Sequence, residues 1–275
     1  MSGLDDWKGR VGQEWAARAD AMEGLLGPVG EGALQALGDL SGQRVLDLGC
    51  GAGDTAVALK AAGGLVTGVD VSADLIALAK QRDPEISWRL ADAATAAFDE
   101  PFDVLYSRCG AMFFDDPVSA YAHLRGQMVP HARLAIAVWR GAAENGWARI
   151  PLDAAEPILG AEAVRLPPAG GAGPFGWADP EPVLAMLEKA GWRNVRVAPI
   201  DRTSIISTGD DPDPITRATA FTMRIGILAA RLRGTDKAVR DAVRDALADR
   251  FSQHLTPAGV ALPAAGWVYQ AENAG

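Results

Sequence analysis

Val45-Leu46-Asp47-Leu48-Gly49-Cys50-Gly51-Ala52-Gly53 is the stretch on which the fold depends. A short apolar run, suited to a buried strand, enters three alternate glycines, and an Ala-rich helical pattern over 54–62 follows. Glycine in such a turn lets the chain bend sharply and lets a ligand come close to the main chain. The unpaired N–H groups at the start of the next helix favour an anionic ligand group. A strand, a glycine turn and a helix in that order predict an α/β unit with something bound at the turn.

Outward from this turn the unit repeats over 44–139. Strands are expected at 44–48, 65–70, 86–90, 102–107 and 133–139, and helices at 54–62, 73–81 and 117–129. This alternation predicts a doubly wound, mostly parallel sheet covered by helices. Ahead of it, 7–37 reads as two amphipathic helices broken at Gly27-Pro28. Behind it, 159–180 is crowded with Gly and Pro yet carries Phe175 and Trp177, so it is a lid over a pocket or a plain linker. A helix over 179–190, a strand over 194–200, helices over 214–232 and 235–255 and a strand over 267–271 complete the chain. The expectation is one domain: an N-terminal helical cap at 1–40, a core at 41–140, and a lid, helical insertion and final strands at 141–275.

Composition narrows the function. The 275 residues carry a net charge of -9, which argues against a broad electrostatic grip on nucleic acid and for a small-molecule partner. The most basic stretch, 217–250, alternates Arg with Asp at helical spacing and reads as a solvated helix face. Two cysteines, Cys50 and Cys109, form no disulfide framework or zinc spacing, so a reducing, cytoplasmic setting and no metal are expected. Neither a secretion signal nor a membrane-spanning apolar run is visible, and the chain is expected to be soluble.

The acids around the turn discriminate between cofactors. A dinucleotide site wants a third glycine where Asp54 stands, and Asp47 and Asp54 would repel a pyrophosphate. A cofactor bearing a sulfonium and an ammonium, S-adenosylmethionine (SAM), would be attracted by the same acids. Asp70 ends the second strand where ribose hydroxyls are expected, and Ser72 rather than Asp70 suits the cap of the following helix. Asp92-Ala93 and Tyr106-Ser107-Arg108 end the next two strands and open onto the same sheet edge.

Together these residues resemble the class I SAM-dependent methyltransferases, in the branch associated with ubiquinone and menaquinone biosynthesis. VLDLGCGAG is similar to the family's first motif, GVDVS to its second and LADA to the segment after the third strand. The resemblance implies a Rossmann-like seven-stranded sheet whose last strand is antiparallel. It also implies that Asp47, Gly49, Cys50 and Gly51 lie under the methionine part of SAM. By the same resemblance Asp70 holds the ribose, Val71 packs on the adenine, Asp92 and Ala93 read the adenine edge, and Ser107 lines the cofactor. Pro130-His131-Ala132-Arg133 replaces the family's usual Pro-Gly-Gly turn, and Cys109 stands where an aromatic is common.

The expected activity is methyl transfer from SAM to a small-molecule acceptor. The acceptor pocket is expected from Arg108, Cys109, Met112, Trp139, Trp147, Phe175 and Trp177, with Trp7 and Trp15 helping to close it. Arg108 either orients an acidic substrate or pairs with Asp115 or Asp116. No catalytic base is assigned, since His123, His131 and His254 fall in no catalytic motif. The alternatives are an NAD-dependent oxidoreductase and a SAM-binding protein without catalytic activity.

Overall fold

The computed structural model describes residues 4–170 and 173–274; Gly171, within the expected lid, lies outside them. Three helices come first: α1 (Leu4–Lys8), α2 (Arg10–Ala16) and α3 (Ala19–Leu37). The core follows as β1 (Arg44–Leu48), α4 (Asp54–Ala61), β2 (Leu65–Asp70), α5 (Ala73–Arg82), β3 (Ser87–Leu90), β4 (Phe102–Arg108), α6 (Pro117–Gly126) and β5 (Met128–Trp139). The remainder is α7 (Gly146–Leu159), α8 (Pro180–Lys189), β6 (Trp192–Ile205), α9 (Pro214–Thr222), α10 (Ile227–Arg231), α11 (Lys237–Ser252), β7 (Leu255–Thr256) and β8 (Gly259–Asn273).

Seven strands lie in the order β3-β2-β1-β4-β5-β8-β6, and β7 adds a short hairpin to β8. The first five are parallel, while β8 runs antiparallel to both β5 and β6. The doubly wound sheet with an antiparallel last strand is therefore present, with one short strand more than expected. Its middle is apolar on both faces, as a sheet covered by helices requires: Leu46, Val104, Leu105, Ala135 and Ile136 are fully buried. Chain order reverses direction between β1 and β4, so their carboxyl ends open a crevice at that point.

Several elements differ from the sequence expectation. Gly27-Pro28 does not break α3, which runs unbroken to Leu37. Its apolar face of Met22, Leu25, Leu26, Val29, Ala33 and Leu37 is buried against the sheet, and this packing outweighs the proline's missing N–H. The expected 214–232 helix is two, separated at Gly226, whose φ of 91° is left-handed. Strands β6 and β8 are much longer than the runs expected at 194–200 and 267–271.

In the 159–180 segment, Phe175 and Trp177 are buried. Phe175 stacks on Trp147 with ring centroids 5.4 Å apart, and Trp177 packs edge-on against Tyr269 at 5.9 Å. Tyr269 also donates its hydroxyl to the carbonyl of Trp177 at 2.9 Å. Both aromatics expected to seal a lid are thus built into the core. Among the described residues no helix is long and apolar enough to cross a membrane.

Candidate functional site

The glycine turn is made by main-chain geometry that only glycine adopts freely. Gly49, Gly51 and Gly53 have φ of 67°, 54° and 92°, and the N–H groups of Gly49 and Cys50 both reach the carbonyl of Val69. A Cβ on Gly49 would sit 2.9 Å from the Cα of Gly110, so two glycines let the ends of β1 and β4 meet. A Cβ on Gly51 would meet no protein atom within 4 Å and would enter open space beside the turn. Ser107, fully buried, donates its hydroxyl to the carbonyl of Leu48 at 2.7 Å and pins the same junction.

The acids sit around this turn in different environments. Asp47 is fully buried beneath it; Thr55 donates to Oδ2 at 2.5 Å, while Oδ1 has no partner. Burial pushes the Asp47 carboxyl up to about 7, against the opposing hydrogen bond from Thr55. Asp70 accepts N–H groups from Ser72 at 2.9 Å and Gly51 at 3.0 Å; burial raises its pKa and those bonds oppose the rise. Ser72 caps α5, as expected, by accepting from the Leu75 N–H. Asp92 accepts from the Ala94 N–H at 2.9 Å. Asp54 is paired with Arg82 at the far end of α5, which weakens its part in repelling a pyrophosphate and leaves that part to Asp47.

Two adjoining cavities open above the turn. The larger, about 760 Å³ including its mouth, is lined on one side by Gly49, Gly51, Asp70, Val71, Asp92 and Ala93. Its other walls are Trp7, Trp15, Phe113, Phe114, Arg108 and Cys109. The smaller, about 450 Å³, lies between the turn and α3 and is lined by Cys50, Thr55, Met22 and Glu23 among others. Gly49, Gly51, Trp15, Leu75 and Arg108 border both. A lining that is mostly apolar with a few convergent polar groups suits a small-molecule ligand.

Most of the expected cofactor residues are brought together. Gly49, Gly51, Asp70, Val71, Asp92 and Ala93 line the larger cavity and Cys50 the smaller, whereas Asp47 and Ser107 lie behind the walls. The acceptor residues divide. Arg108 and Cys109 line the cavity; Met112 is buried outside its lining. Trp139, Trp147, Phe175 and Trp177 pack in the aromatic core away from it, since Trp139 and Trp147 meet at 5.3 Å and Trp147 meets Phe175. Their place is taken by Trp7, whose ring meets Trp15 at 5.0 Å and Phe113 at 5.2 Å. Phe113 and Phe114 carried a signal, since they follow the end of β4 on the ligand edge of the sheet.

Arg108 pairs with neither Asp115 nor Asp116. Its Nη1 and Nη2 donate to the two oxygens of Glu23 at 2.8 and 2.6 Å, tying β4 to α3. Burial would lower the Arg108 pKa, but the Glu23 hydrogen bonds and charge more than offset it. No sequence signal joins two residues 85 positions apart. Cys109 has a left-handed φ of 57°, and burial pushes its thiol up to about 12, so it stays protonated at neutral pH. His123 is bonded through Nε2 to the carbonyl of Ala96 and lies off the walls. His131 takes the left-handed φ of 65° in the turn where the family commonly has glycine.

Comparison with known proteins agrees with this geometry. Residues 45–130 match the family described as a methyltransferase domain. The chain is 32% identical over 105 residues to trans-aconitate 2-methyltransferase of Klebsiella pneumoniae, covering 38% of this chain and 42% of that protein. It is 36% identical over 116 residues to 2-phytyl-1,4-naphtoquinone methyltransferase of Trichormus variabilis, covering 38% and 51%. The chain thus spans about two fifths to one half of these relatives' length. The YcgJ protein of Bacillus subtilis has the same fold, with a TM-score of 0.52 at 14% identity over 89% of this chain and 97% of that one. These matches assign a methyltransferase domain to residues 45–130 and do not single out the ubiquinone and menaquinone branch.

Proposed function

We propose that this chain, whose residues 45–130 are a class I methyltransferase domain, transfers the methyl group of SAM to a small-molecule acceptor. The observation that carries the reading is the glycine turn with its acids. Gly51 leaves open space that a side chain would fill, Asp47 Oδ1 is buried without a partner, and Asp70 and Asp92 stand along the same wall. When bound, SAM supplies an electrophilic methyl on a cationic sulfur.

The chain's own residues then have distinct tasks. Asp70, held in place by the Ser72 and Gly51 N–H groups, presents its remaining lone pairs to ribose hydroxyls. Val71, Leu75 and Ala93 offer apolar surface to an adenine, and Asp92 accepts from its amino group. Trp7, Trp15, Phe113 and Phe114 exclude water from the reacting end. Catalysis rests on alignment in this cleft, because methyl transfer from a sulfonium is already downhill. Trans-aconitate and naphthoquinone as substrates of the relatives support a small organic acceptor. The test is release of S-adenosylhomocysteine (SAH) from SAM on adding metabolite fractions. Release that depends on a fraction supports the reading, and tight SAM binding with no release from any fraction returns the chain to a binding role.

A further inference from the structure

The groups at the acceptor end are already committed. Cys109 keeps its proton, for the reason given above, and the Tyr106 hydroxyl is buried and donates to the carbonyl of Gly30 at 3.1 Å. Glu23 has both oxygens occupied by Arg108. Asp70 and Asp92 belong to the nucleoside wall, and Asp47 lies below the turn behind Thr55. An acceptor that needed a proton removed would find these groups spent. One that arrives ionised needs none.

Arg108 supplies what such an acceptor would seek. Among the described residues it is the one cation lining either cavity. Glu23 takes two of the five N–H groups that a guanidinium offers, and the Arg108 side chain is 11% exposed at the border of the two cavities. The surrounding surface is aromatic, from Trp7, Trp15, Phe113 and Phe114. A charged group held there by remaining guanidinium N–H groups, with its carbon skeleton against the rings, satisfies both kinds of wall.

Resting on the methyl-transfer reading, the geometry points to an acceptor that carries its own oxyanion, a carboxylate or acidic phenolate on an apolar body, bound through Arg108. In the transfer an oxygen lone pair of the acceptor forms the new O–C bond. The C–S bond of SAM breaks with its electron pair going to sulfur. An anion and a sulfonium become a neutral methyl ester or ether and a neutral thioether, and no proton moves. A dry aromatic cleft favours a step in which opposite charges cancel.

The test uses the full chain loaded with SAH and titrated by calorimetry with 2-naphthoate and its uncharged counterpart 2-naphthamide. The expected result is naphthoate binding about tenfold or more tightly than naphthamide, the preference falling to within about twofold in Arg108→Gln and surviving in part in Arg108→Lys. Should Arg108→Gln fail to fold, the double variant Glu23→Gln/Arg108→Gln removes the buried pair without leaving one charge alone. Equal binding of the two probes, a preference untouched by Arg108→Gln, or no binding of either probe overturns the inference. Loss of SAH affinity in Arg108→Gln with the probe preference unchanged overturns it too, and assigns the guanidinium to the cofactor. Failure of SAH to bind the unmodified chain is a separate outcome that removes the methyltransferase reading itself.

Discussion

Replacing Asp70 by Ala removes the carboxylate on which the nucleoside reading depends. Its oxygens are oriented by the Ser72 N–H at 2.9 Å and the Gly51 N–H at 3.0 Å, so they cannot turn away from the cavity they line. Two charge-assisted hydrogen bonds to ribose hydroxyls are together expected to contribute about 1–3 kcal/mol, or roughly 5- to 150-fold in Kd for SAH. The same substitution orphans two backbone N–H groups, which lowers stability and loosens Gly51. Asp70→Asn separates the effects, since its amide oxygen still accepts one N–H while the charge is gone; SAH affinity should fall there with less loss of stability. Calorimetry with SAH, on variants whose circular dichroism matches the parent, measures both. An Asp70→Ala protein that is folded and binds SAH unchanged would refute the ribose role and leave Asp70 as a brace for the turn.

Gly51→Ala should cost about 1–2 kcal/mol of stability for its left-handed φ of 54°, and SAH affinity should fall about tenfold or more because the new methyl enters the cavity; chemical denaturation and calorimetry check the two effects. Asp47 has a folded pKa raised to about 7, above its unfolded value, so its contribution to stability is fully present below about pH 4 and is lost as pH rises through 7. Urea unfolding from pH 4 to 8 should therefore show the parent losing stability relative to Asp47→Asn, by an amount on the order of a few kcal/mol; parallel curves would show that burial does not perturb this acid. Phe175→Ala should destabilise by about 3–5 kcal/mol through the cavity left beside Trp147, yet leave SAH affinity unchanged in the folded protein. Weaker ligand binding with unchanged thermal stability would restore the lid.

The parts legible in the sequence are those governed by local chemistry. Strands β1 and β2 lie at the expected 44–48 and 65–70 because short buried runs bounded by glycine and turn residues permit little else. The left-handed glycines and the acids at strand ends follow from the same local rule. What was hidden depends on distant packing. Helix α7 contains Pro151 and Pro157, which read against a helix, yet its apolar face is buried against α11 and β8. Strands β6 and β8 hold Pro199 and Pro263, which disguise their length. The tryptophans and Phe175 were legible as apolar, but whether an aromatic faces a core or a cavity is decided by neighbours far along the chain. The Arg108–Glu23 pair joins β4 to α3, and Trp7, Trp15, Met22 and Glu23 from the N-terminal helices line the two cavities.

The most direct test of a SAM site at the carboxyl edge of the sheet is a calorimetric comparison of SAH and NAD on the same protein. The site described here predicts saturable one-to-one binding of SAH, a rise in thermal stability that follows its concentration, and no such rise with NAD. Tighter binding of NAD than of SAH would contradict the assignment of the glycine turn and its acids to SAM.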